Sequence, residues 1–169
     1  MVIWLLGLSG SGKTTVGRIL TEEIKQKKDN IIFLDGDILR EVWGSSLSHD
    51  LKSRSINAER ISKLCLMLED QDMIVIAAVL SIFPEWQEWN RKNFKSYFEI
   101  FLDVPIEEVI KRDPKKIYHN FKKGKIKNVV GLDIDFPRPS KSNLIISGKD
   151  IILPPNKIVE KILSLIDLG

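Results

Sequence analysis

The 169-residue chain carries 26 Lys and Arg against 23 Asp and Glu, and its ordinary globular balance of apolar and charged residues excludes wholesale disorder. Its length suits one domain that buries its own core. Its single cysteine excludes a disulfide framework or a zinc ribbon, and its formal charge of +3 is too small for the basic stripe of a nucleic-acid binder.

The first predicted element is Val2–Leu6, an apolar run too short for a leader or a membrane span. Nothing reads as a targeting segment, so a cytoplasmic location without membrane attachment is expected. The run leads into Gly7-Leu8-Ser9-Gly10-Ser11-Gly12-Lys13-Thr14, which matches G-x-x-x-x-G-K-[ST] between a strand and a helix. The chemistry explains this spacing. Glycines let successive backbone N–H groups turn around a phosphate without Cβ clashes. The following helix adds its N-terminal partial charge. Lys13 then meets the β- and γ-phosphates of ATP, and the Thr14 hydroxyl meets Mg²⁺.

Lys13–Lys28 predicts a helix with Val16, Ile19, Leu20 and Ile24 on one stripe. Ile31–Asp35 predicts the second strand, ending in Leu34-Asp35-Gly36-Asp37. Ligands of open parallel sheets collect beyond the carboxyl ends of strands. Two carboxylates there suit Mg²⁺-bound water or the proton of an attacking hydroxyl, although Asp-Gly is also ordinary turn chemistry. Arg40 follows Asp37 by three residues on one helical face, and Arg54 and Asn57 repeat that spacing. Guanidinium forks suit phosphate-like groups, and Asn suits a hydroxyl or a base edge.

Ser55–Gln71 predicts a helix with Ser55 as N-cap, and places Cys65 in its apolar face as a reduced core residue. Met73–Leu80 is the third strand. Pro84 opens another helix, where Trp86 and Trp89 read either as packing or as an interface patch. Tyr97–Asp103 is the fourth strand, and Pro105 suits the first turn of a helix to Arg112. The polar stretch Asp113–Ser142 has no strand pattern and is the candidate lid. Its Lys122–Lys127 cluster reads as a solvated face. Leu144–Ser147 and a helix over Asn156–Leu168 close the chain. Buried strands alternating with helices predict an α/β fold on a parallel sheet. No N-K-x-D motif reads guanine, which argues against a GTPase switch.

At this point the residues resemble the adenylylsulfate (APS) kinase family over nearly the whole chain. The matching stretches are GLSGSGKTT at 7–15, LDGD-x-x-R at 34–40, the R-x-x-N of Arg54 and Asn57, and IVIAA at 74–78. FLDVP at 101–105, RDPKKIY at 112–118 and GKIKN-x-x-GLD at 124–133 complete them. The resemblance implies a single P-loop NTPase-fold kinase domain: a five-stranded parallel sheet flanked by helices, with a lid at about 113–142. It implies that ATP and Mg²⁺ phosphorylate the 3′-hydroxyl of a small nucleotide whose 5′ end bears a mixed anhydride. Gly7, Ser9, Gly10, Ser11, Gly12, Lys13, Thr14 and Thr15 would bind ATP, with Arg112 and Lys115 closing over it and Thr14 on the metal. Asp37 would orient or deprotonate the hydroxyl, beside Lys13. Asp35, Arg40, His49, Arg54, Asn57, Ser81, Lys127, Val129 and Asp133 would belong to the acceptor side. The oligomeric state is not set by the sequence, and a homodimer is the candidate assembly.

The departures fall on the acceptor side. The family clamps the acceptor adenine between two phenylalanines, and the equivalent positions here are His49 and Val129. Valine cannot supply the ~1–3 kcal/mol that base stacking on an aromatic face contributes. Two family arginines are replaced by Pro84 and Gln87, which suggests a less negative end group on the acceptor. A branch of the family that resembles this chain acts on cytidine diphosphoramidate, in the synthesis of capsule phosphoramidate. That acceptor is the expectation. APS itself is the alternative, and a nucleotide-binding regulator without turnover is the alternative of another class.

Overall fold

The computed structural model describes residues 1–44 and 47–168. Five strands form one parallel sheet: β1 (Val2–Leu6), β2 (Ile31–Asp35), β3 (Ile74–Val79), β4 (Tyr97–Leu102) and β5 (Leu144–Ile146). They lie in the order β2-β3-β1-β4-β5. The helices are α1 (Lys13–Lys25), α2 (Gly36–Val42), α3 (Leu51–Glu69), α4 (Pro84–Asn93), α5 (Ile106–Arg112), α6 (Ile117–Lys122) and α7 (Pro155–Leu163). A 3₁₀ turn spans Gly148–Ile152.

Every residue of β1 and β3 is buried, as expected for central strands covered on both faces. Alternation along β1 divides the core between those faces. Ile3 and Leu5 pack with Val16 and Leu20 of α1 and Ile158 and Ile162 of α7. Val2, Trp4 and Leu6 pack with Ile61 and Cys65 of α3 and with Phe94. Burial, with the nearby Glu69, pushes the Cys65 thiol well above its usual range, as befits an inert core residue. A Cβ on Gly17 would meet Phe33 Cε2 at 2.4 Å, so glycine lets α1 lie close against β2.

Several boundaries differ from the sequence expectation. Helix α3 begins at Leu51 because the Asp50 carboxylate accepts from Ser53 N at 2.8 Å, so Asp50 is the cap and Ser55 lies inside the helix. Helix α1 stops at Lys25, where the Lys27 and Lys28 amides both turn back to Ile24 O. Helix α7 ends before Ser164 instead of running to Leu168. The stretch 113–142 is not all irregular. It contains α6, whose Tyr118 and His119 amides are capped by the Asp113 carboxylate, and a bridge between Val130 and Ile134. A separate apolar cluster binds this stretch to the rest of the fold through Tyr118, Val129, Val130 and Ile134 against Leu8 and Val109. The indoles of Trp86 and Trp89 stand 5.6 Å apart, and Trp89 meets Phe94 edge-on at 6.1 Å. Among the described residues, no helix is long and apolar enough to cross a membrane.

Candidate functional site

The carboxyl ends of β1, β2 and β3 open into one cleft of about 830 Å³. This is the end of the sheet where parallel α/β folds place their ligands. Every site residue anticipated from the sequence lines the cleft except Gly7 and Asp133.

The phosphate loop forms one end of the cleft. Gly7, Gly10 and Gly12 have φ of 152°, 80° and 100°, in the region open to glycine. A Cβ on Gly7 would meet Leu102 O at 2.7 Å, so the loop cannot take a side chain there. Lys13 Nζ folds back and donates to Gly7 O at 2.8 Å and Leu8 O at 2.7 Å. Burial lowers its pKa to about 8, against the opposing pull of Asp37. Lys13 therefore stays mostly charged at neutral pH, and an anion entering the loop would raise its pKa again.

Thr14 Oγ1 donates to Asp35 Oδ2 at 2.8 Å, and Asp35 Oδ1 accepts from Asp37 N at 2.9 Å, capping α2. Asp35, grouped with the acceptor side in the sequence reading, thus links Thr14 of the phosphate loop to the first turn of α2. Among the described residues, no cluster of three or more His, Cys, Asp or Glu side chains could cage a metal. A hydroxyl backed by one carboxylate fits Mg²⁺, which keeps much of its shell as water and substrate phosphate.

Asp37 begins α2 and turns its carboxylate into the open cleft, where it forms an ion pair with Lys115. Burial alone would raise the Asp37 pKa. Lys115, helped by Lys13 and Arg40, overcomes this and holds the carboxyl below its usual value. Lys115 in turn is raised, because Asp37 outweighs the burial that would lower it. Asp37 and Lys115 are thus both charged at neutral pH.

The far wall is built by α3 and the loops beside it. Arg40 donates to Ser48 O at 2.6 Å. Arg54 donates from Nε to His49 O at 2.8 Å and from its Nη2 to Asn128 O at 2.8 Å. One guanidinium therefore ties the loop before α3 to the loop after α6, and keeps further N–H groups for a ligand. Asn57 is buried with its Oδ1 unpartnered. His49 is exposed. Partial burial, then the charges of Arg54 and Arg40, lowers its pKa and keeps the ring neutral at neutral pH.

Val129 is 4% exposed, packed in the cluster with Ile82 and Tyr118. Asp133 does not face the cleft. Its carboxylate accepts from Asn128 N at 2.8 Å and Val129 N at 2.5 Å, and so shapes the loop that carries Val129. Arg112 donates weakly to Ile151 O at 3.5 Å, at the end of the cleft bordered by Leu153 and Pro155. Lys127 is an exposed rim residue.

Sequence reasoning missed two supports. Tyr118 OH donates to Ser9 O at 2.9 Å, joining α6 to the phosphate loop, and burial pushes its pKa up to about 12. Its place in RDPKKIY was visible, but its burial was not. The second is Gln87, whose Nε2 donates to Ser81 O at 3.0 Å.

This geometry agrees with comparison to known proteins. The model of the adenylylsulphate kinase family matches residues 1–147. The chain belongs to the adenylylsulfate kinase family. It is 43% identical over 147 residues to a cytidine diphosphoramidate kinase of Campylobacter jejuni, covering 87% of this chain and 85% of the relative. It is 33% identical over 165 residues to an adenylyl-sulfate kinase of Buchnera aphidicola, covering 96% and 80%. Among solved structures, an APS kinase of Mycobacterium tuberculosis in complex with AMPPNP and APS superposes with a TM-score of 0.86 at 28% identity, over 97% and 95% of the two chains. The parallel five-stranded sheet is the P-loop fold of this family. The chain is an ATP-using phosphotransferase acting on a small nucleotide.

Proposed function

We propose that this family member transfers the γ-phosphate of ATP to the 3′-hydroxyl of cytidine diphosphoramidate, as one cytoplasmic kinase domain whose segment 113–142 serves as the lid. The observation that carries the choice of acceptor is Val129. It is an aliphatic residue buried beside Ile82 in the wall of the acceptor cleft, so that wall has no aromatic face to stack on a purine at this position. A smaller pyrimidine against His49 suits such a wall. The 43% identity to the Campylobacter jejuni enzyme supports the same choice.

In this reading the loop of Gly7, Ser9, Gly10, Ser11, Gly12 and Thr15 holds the phosphates of ATP, Lys13 neutralises their charge, and Thr14 with Asp35 behind it holds Mg²⁺. Mg²⁺ held there would supply positive charge that offsets the negative charge developing in transfer. Arg112 flanks the base of ATP. Asp37 accepts the proton of the acceptor hydroxyl or aims its lone pair. Arg40 and Arg54 grip the 5′ diphosphate-like group, Asn57 and Ser81 supply neutral contacts, and Lys127 closes the rim. Asp133 acts by shaping the Val129 loop. The closed lid excludes water, the competing acceptor.

One chemical point refines the argument from the missing arginines. A sulfate end and a phosphoramidate end carry similar negative charge. What separates them is that the amide donates N–H groups and the sulfate only accepts hydrogen bonds.

The test is kcat/KM for cytidine diphosphoramidate and for APS, measured in parallel with saturating Mg-ATP. The proposal expects the cytidine acceptor to lead by at least about tenfold, the scale set by one lost stacking contact. A lead for APS would make the chain an adenylylsulfate kinase that tolerates Val129.

A further inference from the structure

The crest of the phosphate loop is a turn. Ser11 N donates to Leu8 O at 3.1 Å, which closes the four residues Leu8, Ser9, Gly10 and Ser11. Gly10, the third of them, has φ of 80°, and Ser9, the second, is not among the residues of positive φ. That combination is a type II turn. Types I and II differ by turning over the peptide between the two central residues, here Ser9–Gly10. In a planar trans peptide the C=O and the N–H point in opposite directions, so whatever holds Ser9 O also aims Gly10 N–H. Ser9 O is held by Tyr118, whose hydroxyl donates to it at 2.9 Å.

The two ends of this peptide face different surroundings. Tyr118 is buried in the apolar cluster with Leu8 and Val109, and it does not line the cleft. Gly10 does line the cleft, and its amide donates to no other group among the described residues. Burial raises the Tyr118 pKa, so the hydroxyl keeps its proton and remains a donor. The Asp113 carboxylate accepts from the amides of Tyr118 and His119 at 3.3 and 2.8 Å, which fixes the start of α6 and with it the ring. We propose that Tyr118 is a positioning residue for phosphate binding. Its hydroxyl pins the Ser9–Gly10 peptide in the type II orientation, which aims the Gly10 N–H into the loop where the phosphates of ATP enter. The inference rests on the phosphate-loop part of the reading above and is independent of which acceptor is used.

The test compares the wild type with Tyr118→Phe, which keeps the ring and removes the hydroxyl. Titration calorimetry gives Kd for Mg-ATP, and competition against it gives Kd for AMP, which lacks the β- and γ-phosphates. Kd for Mg-ATP should rise about tenfold, the scale of one hydrogen bond to a charged group, while Kd for AMP stays within about twofold. NMR of protein labelled with ¹⁵N-glycine reads the amide itself. Mg-ATP should move the Gly10 amide proton downfield in the wild type, and by less in Tyr118→Phe at saturation. Gly10→Ala acts on the same peptide from its other side. A Cβ there would meet Val109 O at 3.5 Å and Pro114 Cδ at 3.6 Å, ordinary contact distances, but L-alanine resists a φ of 80° and favours the turned-over peptide. Its Kd for Mg-ATP should also rise, and adding Tyr118→Phe should cost less than the two single losses combined, because both act on one peptide.

A Kd for Mg-ATP that rises in step with that for AMP would make Tyr118 a packing residue only and overturn the proposal. So would an unmoved Kd for Mg-ATP, a Gly10 amide shift as large in Tyr118→Phe as in the wild type, or full additivity in the double variant. If Tyr118→Phe does not fold, the claim is judged on the Gly10 amide and on Gly10→Ala. A wild-type amide that does not respond to Mg-ATP, or unchanged affinity in Gly10→Ala, then overturns it. Wild-type protein that does not bind Mg-ATP defeats the phosphate-loop reading as well, whereas binding with unmoved variants defeats this inference alone.

Discussion

Lys115, between α5 and α6, is ion-paired with Asp37, in the first turn of α2. The two side chains hold each other charged, and in the proposed reaction the pair would span the gap of phosphoryl transfer. In the proposed mechanism the γ-phosphate of ATP would compete for Lys115 and leave Asp37 to the acceptor.

Lys115→Met should lower kcat by roughly 100-fold, since removal of one charge-stabilising donor costs on that order. It should also move the acid limb of the pH–rate profile. Lys115 holds the Asp37 carboxyl below its usual value. Without it the pKa rises, and activity is lost at a higher pH as the medium is acidified. A variant with reduced kcat but an unmoved acid limb would separate Asp37 from that limb.

Asp37→Asn keeps the shape and removes the base. The expected loss in kcat is roughly 100- to 10,000-fold, with the dissociation constant for Mg-ATP changed by less than about threefold, because in the proposed mechanism the phosphate loop and not Asp37 holds ATP. Calorimetric titration with ATP beside single-turnover kinetics reads both quantities. An unchanged kcat would remove Asp37 from the chemistry.

Lys13 predicts a pH dependence of ATP affinity. Burial brings its pKa to about 8 in the free protein, and the charged form binds phosphate. Affinity should therefore be level below that pH and fall as pH rises through it. Near that pH, binding should draw protons from solution, because the bound phosphates restore the charge. Titrations in buffers of different ionisation enthalpy measure this uptake. Lys13→Ala should lower turnover roughly 100- to 1000-fold.

The clamp positions predict asymmetric results. His49 is exposed, so His49→Phe is expected to leave stability unchanged and to strengthen adenine acceptors, by up to about 1–3 kcal/mol for a full stack. Val129 lies inside the apolar cluster with Tyr118 and Ile82. Val129→Phe should lower stability by about 1–3 kcal/mol through overpacking, and the melting temperature reads that loss. Equal stability in the two variants would contradict the buried placement of Val129.

The strands were legible to within one residue because each is a largely apolar run, fully buried in β1 and β3 and partly exposed in the edge strands β2 and β5, and the phosphate loop was legible because its spacing is itself the chemistry. Asp37, Arg40 and Arg54 could be placed near the loop by their position after a strand or on one helical face. Orientation could not be read. Asp35 belongs with Thr14 through a hydrogen bond across 21 positions, and Asp133 acts on the amides of its own loop, neither of which composition or periodicity encodes. The start of the third helix was missed because its first turn carries no apolar stripe, and only the cap at Asp50 marks the boundary. The short helix in the lid was missed because it depends on the Asp113 cap and on the burial of Tyr118.

The most direct test is phosphorus NMR of purified protein incubated with Mg-ATP and cytidine diphosphoramidate. The account predicts a new phosphomonoester resonance coupled to the ribose 3′ proton, growing as ATP is converted to ADP, with the phosphoramidate resonance intact. ADP formation without that resonance, or a new phosphate at another position, would contradict it.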